Sequence, residues 1–367
     1  MFSSLCKRAG ICYLCPSEKM KLYLFNPEHD IALAHGKPLF TAPRAGRQLR
    51  SDLGFLPALW ATADDRVWVD DPSAAYEAVR RLGIDVPQGV FVDATALRRI
   101  ATEVEEVRPW GWDVAVRHDL LRLGISSKVM PGDAALSFIR AVSHRKTSQS
   151  ILHKVKANLQ INSLIGDSVE VKDENGLYQQ LRLGFSAVLK APWSSSGRGV
   201  RMVNAPLNET ITHWAMGIIR KQGSLMVEPC YDKLVDFGME FISDSLSVRY
   251  VGLSLFATQG TAYTGNILAT EEEKRKMLSL YVPLSLVDTV RMAMEKELSR
   301  LFSGYYTGPL GVDMMVVRAA DGSSLLHPCV EINVRMTMGH VALALSSKSL
   351  RGTMSITCQD GHYLLRL

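Results

Sequence analysis

Two apolar stretches in the C-terminal third carry polar side chains where a buried strand would place them. "LGVDMMVV" (310–317) holds Asp313 among Val, Met and Leu, and "CVEINV" (329–334) holds Glu331 and Asn333. Residues two apart on a strand share a face, so Glu331 and Asn333 point the same way. A carboxylate removed from water is costly unless it is paired or binds a metal. The chain must therefore gather these strands around a common polar site. Asp313, Glu331 and Asn333 are hard oxygen donors of the kind that hold Mg2+ together with nucleotide phosphates.

"VLKAPWSSSGRGV" (188–200) supplies the complement. A strand ends at Lys190, and a loop of Ser194, Ser195, Ser196, Gly197 and Gly199 follows. Glycines let backbone N–H groups crowd around an anion, and the lysine adds a point charge. In a P-loop the lysine closes the glycine stretch, whereas here it precedes it. With the oxygen cluster downstream, the guest that fits both is Mg-ATP, and Mn2+ would suit the same donors.

The 367 residues suit two or three domains. Residues 20–130 alternate strands ("KLYLFN", "RVWVDD", "GVFVD") with helices ("RAGRQLRSDLGFLPALW", "SAAYEAVRRLGI", "WDVAVRHDLLRLGI"), the pattern of a small parallel sheet. From 131 onward a helical stretch, "GDAALSFIRAVSHRKTSQSILHKV", precedes "SVEVKDENGLYQQLRLG", whose Asn-Gly reads as a turn. Then come the strands "SAVLKAP", "SLMVEPCY", "DFGMEFISD", "SVRYVGLSLFAT", "LGVDMMVVRA" and "CVEINVRMTM", with helices at 208–222 and 271–302. Residues 1–19 read as an unstructured extension before Met20. Their Cys6, Cys12 and Cys15 lack a fourth ligand for zinc, and no apolar core makes them a signal peptide. The scattered cysteines read as reduced thiols of a cytoplasmic protein. The formal net charge of +5 and dispersed arginines speak against nucleic acid, and no stretch approaches a membrane span.

In this order the segments resemble the ATP-grasp superfamily of carboxylate–amine ligases. They are a helix lysine in "SHRKTSQSIL" (Lys146), "LKAPWSSSGRGV" (Lys190), "VEPCY", "MEF" (Glu240), "GVD" (Asp313) and the Glu-x-Asn of "EINVRMTMGH". The last resembles biotin carboxylases and carbamoyl-phosphate synthases, and the whole is similar to D-alanine–D-alanine ligases. The resemblance covers roughly 130–345. It implies an α/β (α+β) fold, with an ATP-grasp domain over 131–367, a lid lobe at about 185–235, and a pre-ATP-grasp domain over 20–130.

The resemblance further implies that Lys146 and Lys190 contact phosphates, with Ser194, Ser195, Ser196 and Gly197 in the closing loop. Glu228, Pro229, Cys230 and Tyr231 would form the adenine hinge. Glu240 would hold the ribose, with Asp236 as runner-up. Asp313, Glu331 and Asn333 would bind one or two Mg2+. Arg335 would face the reacting carboxylate, with Lys190 beside it in catalysis. Some ligases of this kind carry an arginine two residues before the metal aspartate. Here that position is Gly311, so Arg335 acts alone or with His340.

"NPEHD", with Asn26, Glu28, His29 and Asp30, closes the first strand, where open sheets bind ligands; it is either a substrate loop or a turn that caps a helix. "GTAYTGN", with Tyr263 and Asn266, either covers the acceptor or is a hairpin turn. The expected partners are small-molecule carboxylate and amine (or thiol) substrates, and a homodimer is left open. A protein kinase is excluded: the glycine loop follows Lys190, and no His-Arg-Asp loop separates it from "DFG". A phosphotransferase or a non-catalytic nucleotide-binding protein of the same superfamily stays open.

Overall fold

The computed structural model describes residues 20–181, 186–194, 199–260 and 262–367. Residues 1–19, and Ser195, Ser196 and Gly197 of the serine–glycine loop, lie outside the described residues.

The N-terminal unit runs β1 (Lys21–Leu24), α1 (His29–His35), α2 (Arg44–Leu53), β2 (Arg66–Trp68), α3 (Pro72–Arg81), β3 (Phe91–Val92), α4 (Ala94–Ile100), β4 (Glu106–Pro109) and α5 (Val114–Arg122). Its strands pair in parallel in the order β3-β2-β1-β4. Aspartates start the helices. Asp71 accepts from Ser73 N and Ala74 N with Pro72 in the first turn, Asp93 from Ala96 N, and Asp113 from Ala115 N and Val116 N.

Helices α6 (Asp133–Val142) and α7 (Lys146–Leu159) lead to a lid unit. It comprises β5 (Val169–Val171), α8 (Glu174–Leu181), β6 (Ala187–Lys190), β7 (Val200–Val203), α9 (Glu209–Gln222) and β8 (Leu225–Pro229). Its four-stranded sheet has the order β5-β8-β6-β7 and starts earlier in sequence than the expected 185. The Asn-Gly turn is corrected here. Asn175 and Gly176 lie in the first turn of α8, because the Asp173 side chain takes the Gly176 N–H at 2.7 Å and so nucleates a helix instead of a hairpin.

The rest of the chain builds a seven-stranded sheet, in the order β13-β12-β9-β10-β11-β14-β15. Its elements are β9 (Asp232–Ser243), β10 (Val248–Gln259), β11 (Ala262–Leu268), α10 (Glu271–Leu278), α11 (Leu284–Phe302), β12 (Gly308–Arg318), β13 (Ser324–Asn333), α12 (Met338–Ser347), β14 (Gly352–Gln359) and β15 (His362–Arg366). The helical stretch at 271–302 is two helices, divided before Pro283, which enters α11 at φ −59°. Alternation along β9 sorts its side chains. Phe237, Met239 and Phe241 are fully buried in a core shared with α7 and α11, so Asp236, Gly238 and Glu240 take the opposite face. That face carries the site. Among the described residues no helix is long and apolar enough to cross a membrane.

Candidate active site

The site forms where the large sheet, the start of the lid loop and the N-terminal unit meet, around a cavity of about 280 Å3. Register brings its carboxylates together: Asp313 of β12 pairs across the ladder with Glu331 of β13, and Gly311 with Asn333. Asn333 Nδ2 donates to Asp313 Oδ2 at 3.1 Å. Burial, and then the charges of Glu331 and Glu240, push the Asp313 carboxyl up to about 7. All three expected metal ligands line the cavity.

Two guanidiniums face this group. Arg335 donates through Nη2 to Asn333 Oδ1 at 2.9 Å and through Nε to Asp30 Oδ2 at 3.1 Å. Burial works to raise Asp30, but Arg335 more than offsets it and holds the carboxyl below its ordinary value. The second guanidinium belongs to Arg145, which the sequence reading passed over. Arg145 Nη2 donates to both Glu331 oxygens at 2.7 and 2.8 Å, and Nη1 donates to Ser194 Oγ at 2.8 Å and to the Ala191 carbonyl. Its Nε is buried, with no hydrogen-bond partner. The expected phosphate contact at this point, Lys146, is exposed and does not line the cavity. Helix α7 begins at Lys146, and its start is pinned by Arg145 N donating to Pro192 O and by Ser148 Oγ accepting from Ile332 N. That phase turns Arg145 inward and the next residue out.

The lid loop is anchored at its root. Trp193 stacks edge-on against His144 at 4.7 Å, lies under the Arg140 guanidinium at 4.3 Å, and takes Gln222 Oε1 on its backbone N–H. Ala191 N donates to Gly199 O at 2.8 Å, closing the loop. A Cβ on Gly199 would lie 2.4 Å from Ser194, so only glycine allows the two ends this close. Lys190 is buried and pairs with Glu228 Oε2 at 2.5 Å; Ser168 Oγ donates to Glu228 Oε1 at 3.3 Å. Neither Lys190 nor Glu228 lines the cavity. Along the expected hinge, Pro229 pairs with Ala187 and Cys230 N donates to Ser186 O. Tyr231 packs edge-on to His327 at 5.8 Å. Burial pushes the Tyr231 hydroxyl up to about 12.

Glu240, the carboxylate expected at the ribose, lines the cavity. Its oxygens accept from Ser254 Oγ at 2.9 Å and Thr337 Oγ1 at 2.7 Å, and His340 Nδ1 lies 3.1 Å away. Burial opposes its charge, and His340, Thr337 and Ser254 prevail, holding it below the usual carboxylate value. It sits in a slot between two glycines. A Cβ on Gly339 would lie 1.8 Å from Glu240 Oε1, and one on Gly311 would lie 2.6 Å from Oε2. The absence of an arginine at Gly311 thus has a steric reason. His340 is held beneath Glu240 and does not line the cavity. Asp236, the runner-up, accepts from Lys233 Nζ at 2.5 Å and Thr258 Oγ1 at 2.8 Å.

"NPEHD" closes β1 and runs into α1, whose start carries no side-chain cap. Asn26 clasps Gly111 through both backbone groups, and His29 Nδ1 lies 3.1 Å from Asp113 Oδ2; these tie the loop down. Glu28 pairs with Arg50 at 3.0 Å beside a separate polar cavity, and burial raises its carboxyl. Pro27 lines the main cavity, and Asp30 reaches Arg335. Of "GTAYTGN", Thr261 lies outside the described residues; Tyr263 and Asn266 lie on β11 and line the cavity, with the Tyr263 hydroxyl donating to Asn266 Oδ1.

No family model matches the chain, and no curated protein matches it. Solved structures do. N5-carboxyaminoimidazole synthetase from Staphylococcus aureus, complexed with ADP, is 11% identical with a TM-score of 0.48, over 93% of this chain and 83% of that one. Biotin carboxylase from Campylobacter jejuni is 14% identical with a TM-score of 0.49, over 88% and 67%. L-amino acid ligase from Bacillus licheniformis is 15% identical with a TM-score of 0.40, over 73% and 65%. All three are ATP-grasp proteins. At these scores the likeness assigns no residue a role, and the roles below rest on the geometry.

The donors suit a divalent cation. Asp313 and Glu331 place carboxylate oxygens in the cavity beside the Asn333 amide. Among the described residues no group of three or more His, Cys, Asp or Glu could hold a metal by itself. Asn333 and phosphate oxygens from a nucleotide would therefore complete the coordination.

Proposed function

We propose that the chain is an ATP-dependent ligase that activates a carboxylate as an acylphosphate and passes the acyl group to an amine, or less readily a thiol. The observation that carries this reading is one cavity in which Asp313, Glu331 and Asn333 meet the guanidiniums of Arg145 and Arg335 beneath the anchored lid loop.

The substrate carboxylate attacks the γ-phosphorus of ATP, the bond to ADP breaks, and the acceptor nitrogen then displaces inorganic phosphate from the acyl carbon. Mg2+, when bound, neutralises charge on the phosphates and supplies Lewis-acid character to the transferred group. Asp313, Glu331 and Asn333 would hold it. Arg145, which lines the cavity, would bind phosphate oxygens and link the root of the lid loop to Glu331. Arg335 would orient the acid, and Asp30 fixes that guanidinium in the plane it needs. Trp193 fixes the root of the segment beside an intermediate that water would destroy. Lys190, tied to Glu228, would lend charge from the lid side.

The test is acid-dependent ADP release by the wild type and by Glu331→Gln. The variant should bind nucleotide within about tenfold of wild type yet lose two or more orders of magnitude in turnover, because charge stabilisation matters most in the transition state. Wild-type protein that binds Mg-ATP and releases no ADP with any acid would contradict the reading.

A further inference from the structure

The cavity has two chemically distinct ends. It crosses the sheet from Glu331 on β13 to Ile356 on β14, five strand steps in the order β13-β12-β9-β10-β11-β14. The β13 and β12 end holds Asp313, Glu331, Asn333 and the guanidiniums. The apolar part of the lining is Phe256 of β10, Ile356 of β14, Met338 of α12, and Phe25, Leu49 and Trp110 of the N-terminal unit, and Trp110 adjoins Arg335, its carbonyl accepting from Met336 N at 2.8 Å.

None of these six belongs to the lid or to the Glu228–Tyr231 segment, where a nucleobase would lie. Tyr231 meets the large sheet at His327, on the outer strand β13, while the apolar wall begins three strands across at β10. The apolar lining is therefore separate from the Glu228–Tyr231 segment. Phe25 and Trp110 meet edge-on at 4.8 Å and form a ready-made aromatic surface. The polar groups nearby are already paired. Tyr263 donates to Asn266 Oδ1, Asn266 Nδ2 to Leu255 O at 3.4 Å, and Thr258 Oγ1 to Asp236 at 2.8 Å. Burial raises the Tyr263 hydroxyl, so it stays neutral. Glu240 lies beside Met338 but is already bound by Ser254, Thr337 and His340.

We infer that the acid activated here is a carboxylic acid with a compact, uncharged apolar body, such as a phenyl ring or a branched alkyl chain. This rests on the ligase reading. The carboxylate lies at Arg335, and the body extends over β10 and β14 against Phe256, Trp110 and Ile356. A second charge on the body would be buried with no partner. An acid with no body would leave the apolar wall in water.

The full-length protein with saturating Mg-ATP is given 3-phenylpropionate, 4-methylpentanoate, glutarate or acetate, with hydroxylamine as acceptor. ADP and hydroxamate are measured, and acid affinity is measured by calorimetry with a non-hydrolysable ATP analogue. The two apolar acids should bind and turn over at least about tenfold better than glutarate or acetate, the effect of burying one apolar side group. Ile356→Glu should weaken 3-phenylpropionate about tenfold or more, and Ile356→Leu should retain it. Glutarate or acetate performing equally well, no binding of any acid, or an Ile356→Glu variant that binds 3-phenylpropionate normally would overturn the inference. The ligase reading fails separately. If the apolar acids bind selectively but no acid yields ADP or hydroxamate, the cavity preference stands and the ligase chemistry falls. If ADP release follows the polar acids, the reverse holds.

Discussion

Replacing Arg145 by alanine removes one guanidinium that joins three parts of the site. It bonds both Glu331 oxygens at 2.7 and 2.8 Å, Ser194 Oγ at 2.8 Å, and the Ala191 carbonyl. Truncating one partner of a fully buried ion pair costs about 3–5 kcal/mol. Glu331 retains 25% side-chain exposure, so water recovers part of that loss, and about 2 kcal/mol of stability is expected to go. Nucleotide affinity should fall further than stability suggests, because the charge-assisted contact to phosphate, about 1.5–3 kcal/mol, is lost as well. That corresponds to a Kd for Mg-ATP raised roughly tenfold to a hundredfold. Lys146 is the control. It is adjacent in sequence and equally charged but exposed, so Lys146→Ala should change the Kd by no more than about threefold. Calorimetry on both variants, with chemical denaturation to confirm folding, decides the matter. A Lys146→Ala effect larger than that of Arg145→Ala would refute the placement of the phosphate-binding cation.

Two further outcomes follow from the lid. Lys190→Met strands Glu228 inside the lid sheet and should cost about 3–5 kcal/mol in chemical denaturation. The Lys190→Met/Glu228→Gln double variant should recover much of that stability without recovering nucleotide affinity, and recovery of both would make Lys190 purely structural. For His144, burial pushes the imidazole from 6.5 down to about 4, so the folded chain refuses a proton that the unfolded chain accepts below pH 6.5. Stability should therefore decline as pH falls from 6.5 to about 4 and lose no more to this group below that. His144→Gln should flatten the slope in a thermal-midpoint series, and an unchanged slope would contradict the assignment.

Much of this site was legible because its chemistry sits in short local patterns. Asp313 inside an apolar strand, and Glu331 and Asn333 two apart on another, specify a shared polar face whatever surrounds them. The rest depends on geometry that spacing does not carry. His144, Arg145 and Lys146 are three consecutive basic residues, and which one turns inward is set by where α7 starts. The Asp30–Arg335 pair spans 305 positions, and no local pattern announces it. Glu240 lines the cavity, but the way Gly311 and Gly339 let Thr337, Ser254 and His340 gather around it is set by folding and not by spacing. Asn175-Gly176 carries turn propensity that the Asp173 cap overrides. The C-terminal hairpin β14–β15, which brings Ile356 to the cavity, has ordinary alternation and no motif to mark its role.

The central claim is that a substrate carboxylate attacks phosphorus. The most direct measurement uses carboxylic acids labelled with 18O in both carboxyl oxygens, incubated with Mg-ATP, an amine pool and the full-length protein. If an acylphosphate forms and is then opened by the amine, each released phosphate carries one 18O from the acid. Phosphate released without the label, or carrying oxygen from labelled water instead, would contradict the account.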